Sequence, residues 1–327
     1  MKPSVSETEE VPQRPTLEQA IEVLKTSTDV VSDETILYGL SDIGEEQAEL
    51  LKPIWFGLDP QVRELLIQIL LDEMDTNFEL NFEQVALMSL QDKSGRVRQS
   101  AIEILVAIED PRHIDTLIGL VKYDKNALVR AEAMRGVSDF LSEGEFEDLP
   151  KRHAERIEAF ALSIWTNQQE DAVVRASALQ VLASTLLNVK DMIFEAFNSG
   201  DEDLRLGAVV SMGRTGDSEQ WHEIVLEQLE FGVNEIQVEA ARSSGELQLI
   251  EAVPLLVRLL ENEEADAKEA VIWSLGEIGG KEAIRILNVL AETAEEDEDD
   301  ELLDLIEDAM GNATLADGGE PLQFDLK

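Results

Sequence analysis

The sequence contains no cysteine, which excludes a disulfide frame, a thiolate nucleophile and any Cys-ligated metal. Positive charge is scarce. Only 26 Lys and Arg stand against 70 Asp and Glu, for a formal charge of −44. Nucleic-acid affinity depends on cations that displace counterions from phosphates, and anionic leaflets attract polybasic segments. Both surfaces repel this chain, so neither nucleic acid nor membrane is an expected partner. No apolar run approaches the ~20 residues of a membrane span. The opening residues, MKPSVSETEEVPQRP, are polar and acidic, unlike a secretory signal or transit peptide. The expectation is a soluble, cytoplasmic, monomeric protein. Aromatics are also few, at 5% against 44% apolar residues overall. A core made of Leu, Ile, Val and Ala suits helix-on-helix packing.

What the chain does have is a repeat. Seven segments share one pattern, including DPQVRELLIQIL from Asp59, SGRVRQSAIEIL from Ser94, DAVVRASALQVL from Asp171 and DEDLRLGAVVSM from Asp201. Aligned on the residue after the first aliphatic, their origins are Arg63, Arg98, Arg130, Arg175, Arg205, Gln237 and Lys268. Successive spacings of 35, 32, 45, 30, 32 and 31 describe a tandem array with one insertion near 141–155. Four before the origin stand helix-capping residues: Asp59, Ser94, Asn126, Asp171 and Asp201. Three after it is usually Ala, and seven after it a larger apolar residue, which together make one buried helical stripe. Gly279 supplies a left-handed helix end. The same register aligns Leu40, Ile43 and Gly44 with Leu275, Ile278 and Gly279, and Met310–Gly311 with Met212–Gly213. A second amphipathic stretch follows most copies, so each unit is a pair of antiparallel helices, and nothing reads as a strand.

The string D-x-x-V-R-x-x-A-x-x-x-L-G-x-I-G resembles a HEAT repeat, and most closely the short repeat of the phycobilisome (bilin) lyase subunits. The resemblance runs from Thr16 to Gly311. It implies an all-α fold, a right-handed α-solenoid of about nine HEAT-like helix pairs. It also implies a ladder between adjacent repeats, formed by the origin Arg and an Asp six residues earlier. Asp92/Arg98 and Asp124/Arg130 keep that spacing, whereas Gln237 and Lys268 depart from it, so the ladder is expected to break toward the C-terminus. Flanking the array are an acidic, disordered tail over 1–15 and a C-terminal tail over 312–327. The run EEDEDDE over 295–301 reads as an acidic loop between the last two helices.

The repeated arginines have two readings, as hydrogen-bond donors between repeats or as an anion-binding row. The stronger functional candidate is the solvent face of the repeated helix, two, five and nine residues after each origin. In a HEAT solenoid that face is concave. It carries Arg135, Gln180, Val210, Arg214, Arg242 and Trp273, and Arg and Trp are enriched at binding hot spots. Trp273 either opens into a protein-binding groove or packs against an adjacent repeat. No catalytic, cofactor or metal residue is assigned. Of His113, His153 and His222 only His222 precedes a Glu, and one such pair cannot hold the di-iron centre of HEAT-type hydroxylases. No phosphate-binding loop or nucleophile elbow occurs. The reading is a non-catalytic scaffold or adaptor that binds a neutral-to-basic protein or peptide without a cofactor. The alternative is an enzyme accessory or lyase subunit of the bilin-lyase type.

Overall fold

A computed structural model describes residues 14–26, 33–142, 151–185, 188–261, 265–297 and 299–316. It is helical throughout, with no strand among the described residues. The chain divides into two compact units, one up to Phe140 and one from Leu141 onward. Insertion residues 143–150 and both terminal tails lie outside the described residues, apart from Arg14–Pro15 and Asn312–Ala316.

The N-terminal unit holds α1 (Leu17–Thr26), α2 (Glu34–Leu40), α3 (Glu45–Trp55), α4 (Pro60–Thr76), α5 (Glu83–Ser89), α6 (Gly95–Ala107), α7 (Ile114–Tyr123) and most of α8 (Ala127–Ser142). Its core is the predicted stripe, with Leu66, Leu70, Ala101, Leu105, Ala133 and Val137 almost wholly buried. Asp59 accepts from the Gln61 N–H at 2.9 Å and Asn126 from Leu128 at 2.9 Å, so both cap as expected. Ser94 does not cap through its side chain. Its own N–H is instead taken by Asp92 at 2.8 Å.

Asp92 belongs to the ladder, which the structure resolves atom by atom. The Arg63 guanidinium clasps Asp92 at 2.7 and 3.1 Å, and Arg98 clasps Asp124 at 2.7 and 2.8 Å. Arg98 also donates to the Asp92 carbonyl at 2.7 Å, and Arg130 to the Asp124 carbonyl at 2.9 Å. Each Asp therefore joins the Arg of the preceding repeat to the turn that starts its own helix. These arginines are inter-repeat donors rather than an anion-binding row.

The C-terminal unit holds α9 (Lys151–Thr166), α10 (Ala172–Ala183), α11 (Lys190–Phe197), α12 (Glu202–Arg214), α13 (Ser218–Phe231), α14 (Asn234–Glu246), α15 (Val253–Leu259), α16 (Ala265–Ile278), α17 (Gly280–Asp297) and α18 (Asp300–Ala316). Helices α10, α12, α14, α16 and α18 stack in that order, and α13 and α17 close hairpins on α14 and α18. This is solenoid stacking, in which each hairpin covers the apolar stripe of its neighbour. The ladder is replaced here. Arg175 donates to the Trp165 carbonyl at 3.1 Å, Arg205 to Gln228 at 2.8 Å, and Gln237 to the Leu229 carbonyl at 3.2 Å.

Two features differ from the sequence reading. First, Gly44 has φ −85° and starts α3, while Asp42 takes the left-handed conformation at φ 56°. The alignment of Gly44 with Gly279 (φ 63°) is therefore two residues out of register. Second, the acidic run is mostly helix, because α17 reaches Asp297 and α18 starts at Asp300. Acidic side chains in the first turn of α18 are favoured by the free N–H groups there.

Candidate functional site

Positions five after the origin fall one per stacked helix: Gln180 on α10, Val210 on α12, Arg242 on α14 and Trp273 on α16. They differ in access. Gln180 and Ser177 are buried, Val210 and Arg242 half-buried, and Trp273 is 36% exposed. Gln180 is therefore not a contact residue. The small residues from Ser177 to Gly207 do not floor a groove; they let two helices cross. A Cβ on Gly207 would lie 2.6 Å from the Ala176 Cβ, closer than real side chains approach.

Similar close crossings recur down the stack. A Cβ on Gly213 would lie 2.9 Å from the Ser243 Cα, and one on Gly245 2.9 Å from the Ser274 Cα. The same two serines donate across the crossing. Ser243 Oγ reaches the Val209 carbonyl at 2.9 Å and Ser274 Oγ the Ala241 carbonyl at 2.8 Å. With backbones this close, larger side chains nearby are pushed outward. One of them is Trp273, whose Cζ3 rests above Gly245, 2.8 Å from where a Cβ would stand. The indole thus packs on the preceding repeat along one edge and stays partly open to solvent, so both sequence readings hold in part.

Side chains of the same stack, on α14, α16 and α18, form pairs of their own. Arg242 pairs with Glu239 at 2.7 Å, and Asn312 donates to Glu277 at 3.3 Å. The Glu246 carboxylate lies against Gly213, where any Cβ would collide with it. Desolvation at this close contact pushes the carboxyl up to about 7 although the residue as a whole is exposed, while Arg214 pulls it down and Glu239 and Glu277 push it further up. A carboxyl with a raised folded-state pKa stabilises most below its unfolded pKa, and that contribution fades as pH rises through about 7. Glu246→Gln should therefore gain in melting temperature relative to the parent as pH goes from 5 to 8. An identical difference at both pH values would contradict the assignment.

Arg135 belongs to the N-terminal unit, on α8, where it pairs with Glu132. The nearby Glu103 carboxyl is raised chiefly by burial, then by Glu132 and Asp72, with Arg135 opposing. Arg135 thus neutralises an acidic cluster. Counting along the repeat places Arg214, Arg242 and Trp273 on this face of the C-terminal unit but does not show that Gly213 makes room for Glu246 and Gly245 for the indole. Among the described residues one group of metal-capable side chains lies together: Glu83, Asp110 and His113, in the N-terminal unit. No helix of the described residues is long and apolar enough to cross a membrane.

Residues 222–311 match the family model for HEAT repeats. This stretch is a HEAT-repeat segment. It spans α13 to α18 and so includes Arg242, Glu246 and Trp273. Among solved structures the chain is similar to YibA of Escherichia coli, at 15% identity and a TM-score of 0.37, with 81% of this chain and 96% of YibA covered. It is also similar to importin beta, at 15% identity and a TM-score of 0.39 over 91% of this chain. It spans 44% of that importin chain. No curated protein sequence matches it. With this segment and its stacked hairpins the chain is a helical-repeat protein.

Proposed function

We propose that this helical-repeat protein is a non-catalytic adaptor that grips a protein or peptide through the exposed side of α12, α14 and α16. The observation that carries the reading is Trp273, a partly exposed indole on α16 whose edge rests on Gly245 of α14, the helix that also carries the Arg242–Glu239 pair. Tryptophan and arginine are the residue types enriched at binding hot spots. Arg214 and Arg242 supply donors for backbone carbonyls or carboxyl groups of the ligand. The chain's −44 charge favours a neutral-to-basic partner and makes association weaken as salt rises. A cytoplasmic, monomeric protein remains the reading of the sequence. The lyase-accessory alternative rests on repeat type alone.

The other tryptophans, Trp55, Trp165 and Trp221, are buried. Acrylamide should therefore quench one component of the fluorescence, and Trp273→Phe should abolish that component. Full protection from acrylamide in the parent would remove Trp273 from the surface. The binding test is affinity capture from the native lysate at low and moderate salt, with mass spectrometry of the eluate. The double variant Arg214→Glu plus Arg242→Glu should lose a partner that the parent holds at low salt. Retention of every partner by the variant would overturn the site.

A further inference from the structure

We propose that Glu83, Asp110 and His113 form a binding site for a first-row divalent metal ion of the zinc type, with Arg112 as the side chain that the metal displaces. The chain brings the three together from two places. Glu83 lies in the first turn of α5. After α6 the backbone turns through Glu109 at φ 57°, and Asp110 then caps the short turn Pro111–His113 that leads into α7. One ligand atom from each residue lies within 4.8 Å of the others.

The independent sign of a ligand is His113. It is 4% exposed, and its Nε2 has no hydrogen-bond partner. That nitrogen nonetheless faces Glu83 Oε1 at 3.2 Å, without the alignment of a hydrogen bond. A buried ring nitrogen left unsatisfied is costly, and a metal ion would satisfy it. The Glu83–His113 separation also fits, because two ligands on a tetrahedral ion with bonds of about 2.0–2.1 Å stand roughly 3.3 Å apart.

Arg112 marks where positive charge belongs. Its Nε donates to Asp110 Oδ2 at 2.6 Å, and its Nη2 lies 3.6 Å from Glu83 Oε1. It thus touches both carboxylates, yet its side chain is 76% exposed and free to swing into solvent. Two carboxylates would balance a dication in place of the single guanidinium charge. An imidazole among the donors selects zinc-like ions over Mg²⁺ and Ca²⁺, which prefer all-oxygen sites. Three protein ligands leave a fourth position for water or for a group on a partner.

The test uses the full chain, treated with a chelator and dialysed, then titrated with Zn²⁺ against a chromophoric competitor and with Co²⁺ by visible absorption. One equivalent should bind more tightly than the weak sites of an acidic surface, and millimolar Mg²⁺ or Ca²⁺ should not displace it. His113→Asn and Glu83→Gln should each weaken that equivalent by roughly tenfold or more. Arg112→Ala should tighten it severalfold by removing the competitor. Absence of a distinct tight equivalent would overturn the proposal. So would binding left unchanged by both Glu83→Gln and Arg112→Ala, two variants outside the buried core that remain informative if His113→Asn does not fold.

Discussion

Arg98→Ala should lower the free energy of unfolding by about 3–5 kcal/mol, measured by urea denaturation at neutral pH. Arg98 is buried and serves two repeats at once. It holds Asp124 through two hydrogen bonds and the Asp92 carbonyl through a third. Truncation leaves a buried carboxylate and a buried carbonyl without this donor, which is why the loss exceeds that of a surface ion pair. The acid limb provides a second readout. Burial pushes the Asp124 carboxyl up, but the Arg98 hydrogen bonds and charge, together with the Asn126 N–H and the Lys125 charge, outweigh it and hold the carboxyl below the usual range. A lowered folded-state pKa gives stability that is present above the unfolded value of about 3.9 and is lost as pH falls through the folded one. The variant should therefore lose less stability than the parent between pH 5 and 3. Arg205→Ala is the contrast. It removes a hydrogen bond to the neutral Gln228 and contact with the Phe197 ring, so it should cost about 1–2 kcal/mol. Equal losses for the two variants would mean that the ladder carries no special weight.

Gly276→Val should cost about 3 kcal/mol, at the upper end of overpacking effects. A Cβ on Gly276 would lie 2.9 Å from the Ala309 carbonyl oxygen and 3.0 Å from its Cα. Both are backbone atoms of α18, so the contact is relieved only by moving a helix. Gly311 has no atom within 4 Å of where its Cβ would be. Gly311→Ala should accordingly stabilise by about 1 kcal/mol through helix propensity alone. Opposite signs in thermal unfolding would show that glycine is needed at the crossing and merely tolerated in α18. A neutral Gly276→Val would show that the stack yields easily, contrary to the close packing of α16 on α18.

Much of the fold was legible because the repeat exposes its own logic. Ala178, Ala208 and Ala240 recur three after the origin and are all fully buried, since position three faces the neighbouring helix in every copy. Gln237 stands where the ladder needs arginine and donates instead to the Leu229 carbonyl, and among the described residues neither it nor Lys268 forms a ladder pair. The N-terminal copy departs from the pattern because Leu40 and Gly44 mimic the spacing of a later helix end, whereas Asp42 adopts the left-handed turn. Only small energies oppose that choice, about 1–2 kcal/mol for a non-glycine residue.

The candidate site was less legible. Arg242 and Trp273 could be placed on the repeated helix by counting residues, but Gln180 could not be recognised as buried. Its burial accompanies the packing of α10 on α12, which come as close as Ala176 and Gly207, a distance between helices rather than a property of either one. Sequence alone determined the period, the helical pairing, the inward stripe and the overwhelming negative charge, since each is fixed by local pattern or simple composition. Tertiary structure alone decided which arginine meets which aspartate, how near the glycines bring the backbones, and that Glu83, Asp110 and His113 share one corner. Those outcomes depend on the packing of neighbouring hairpins, where a shift of one ångström separates a contact from none.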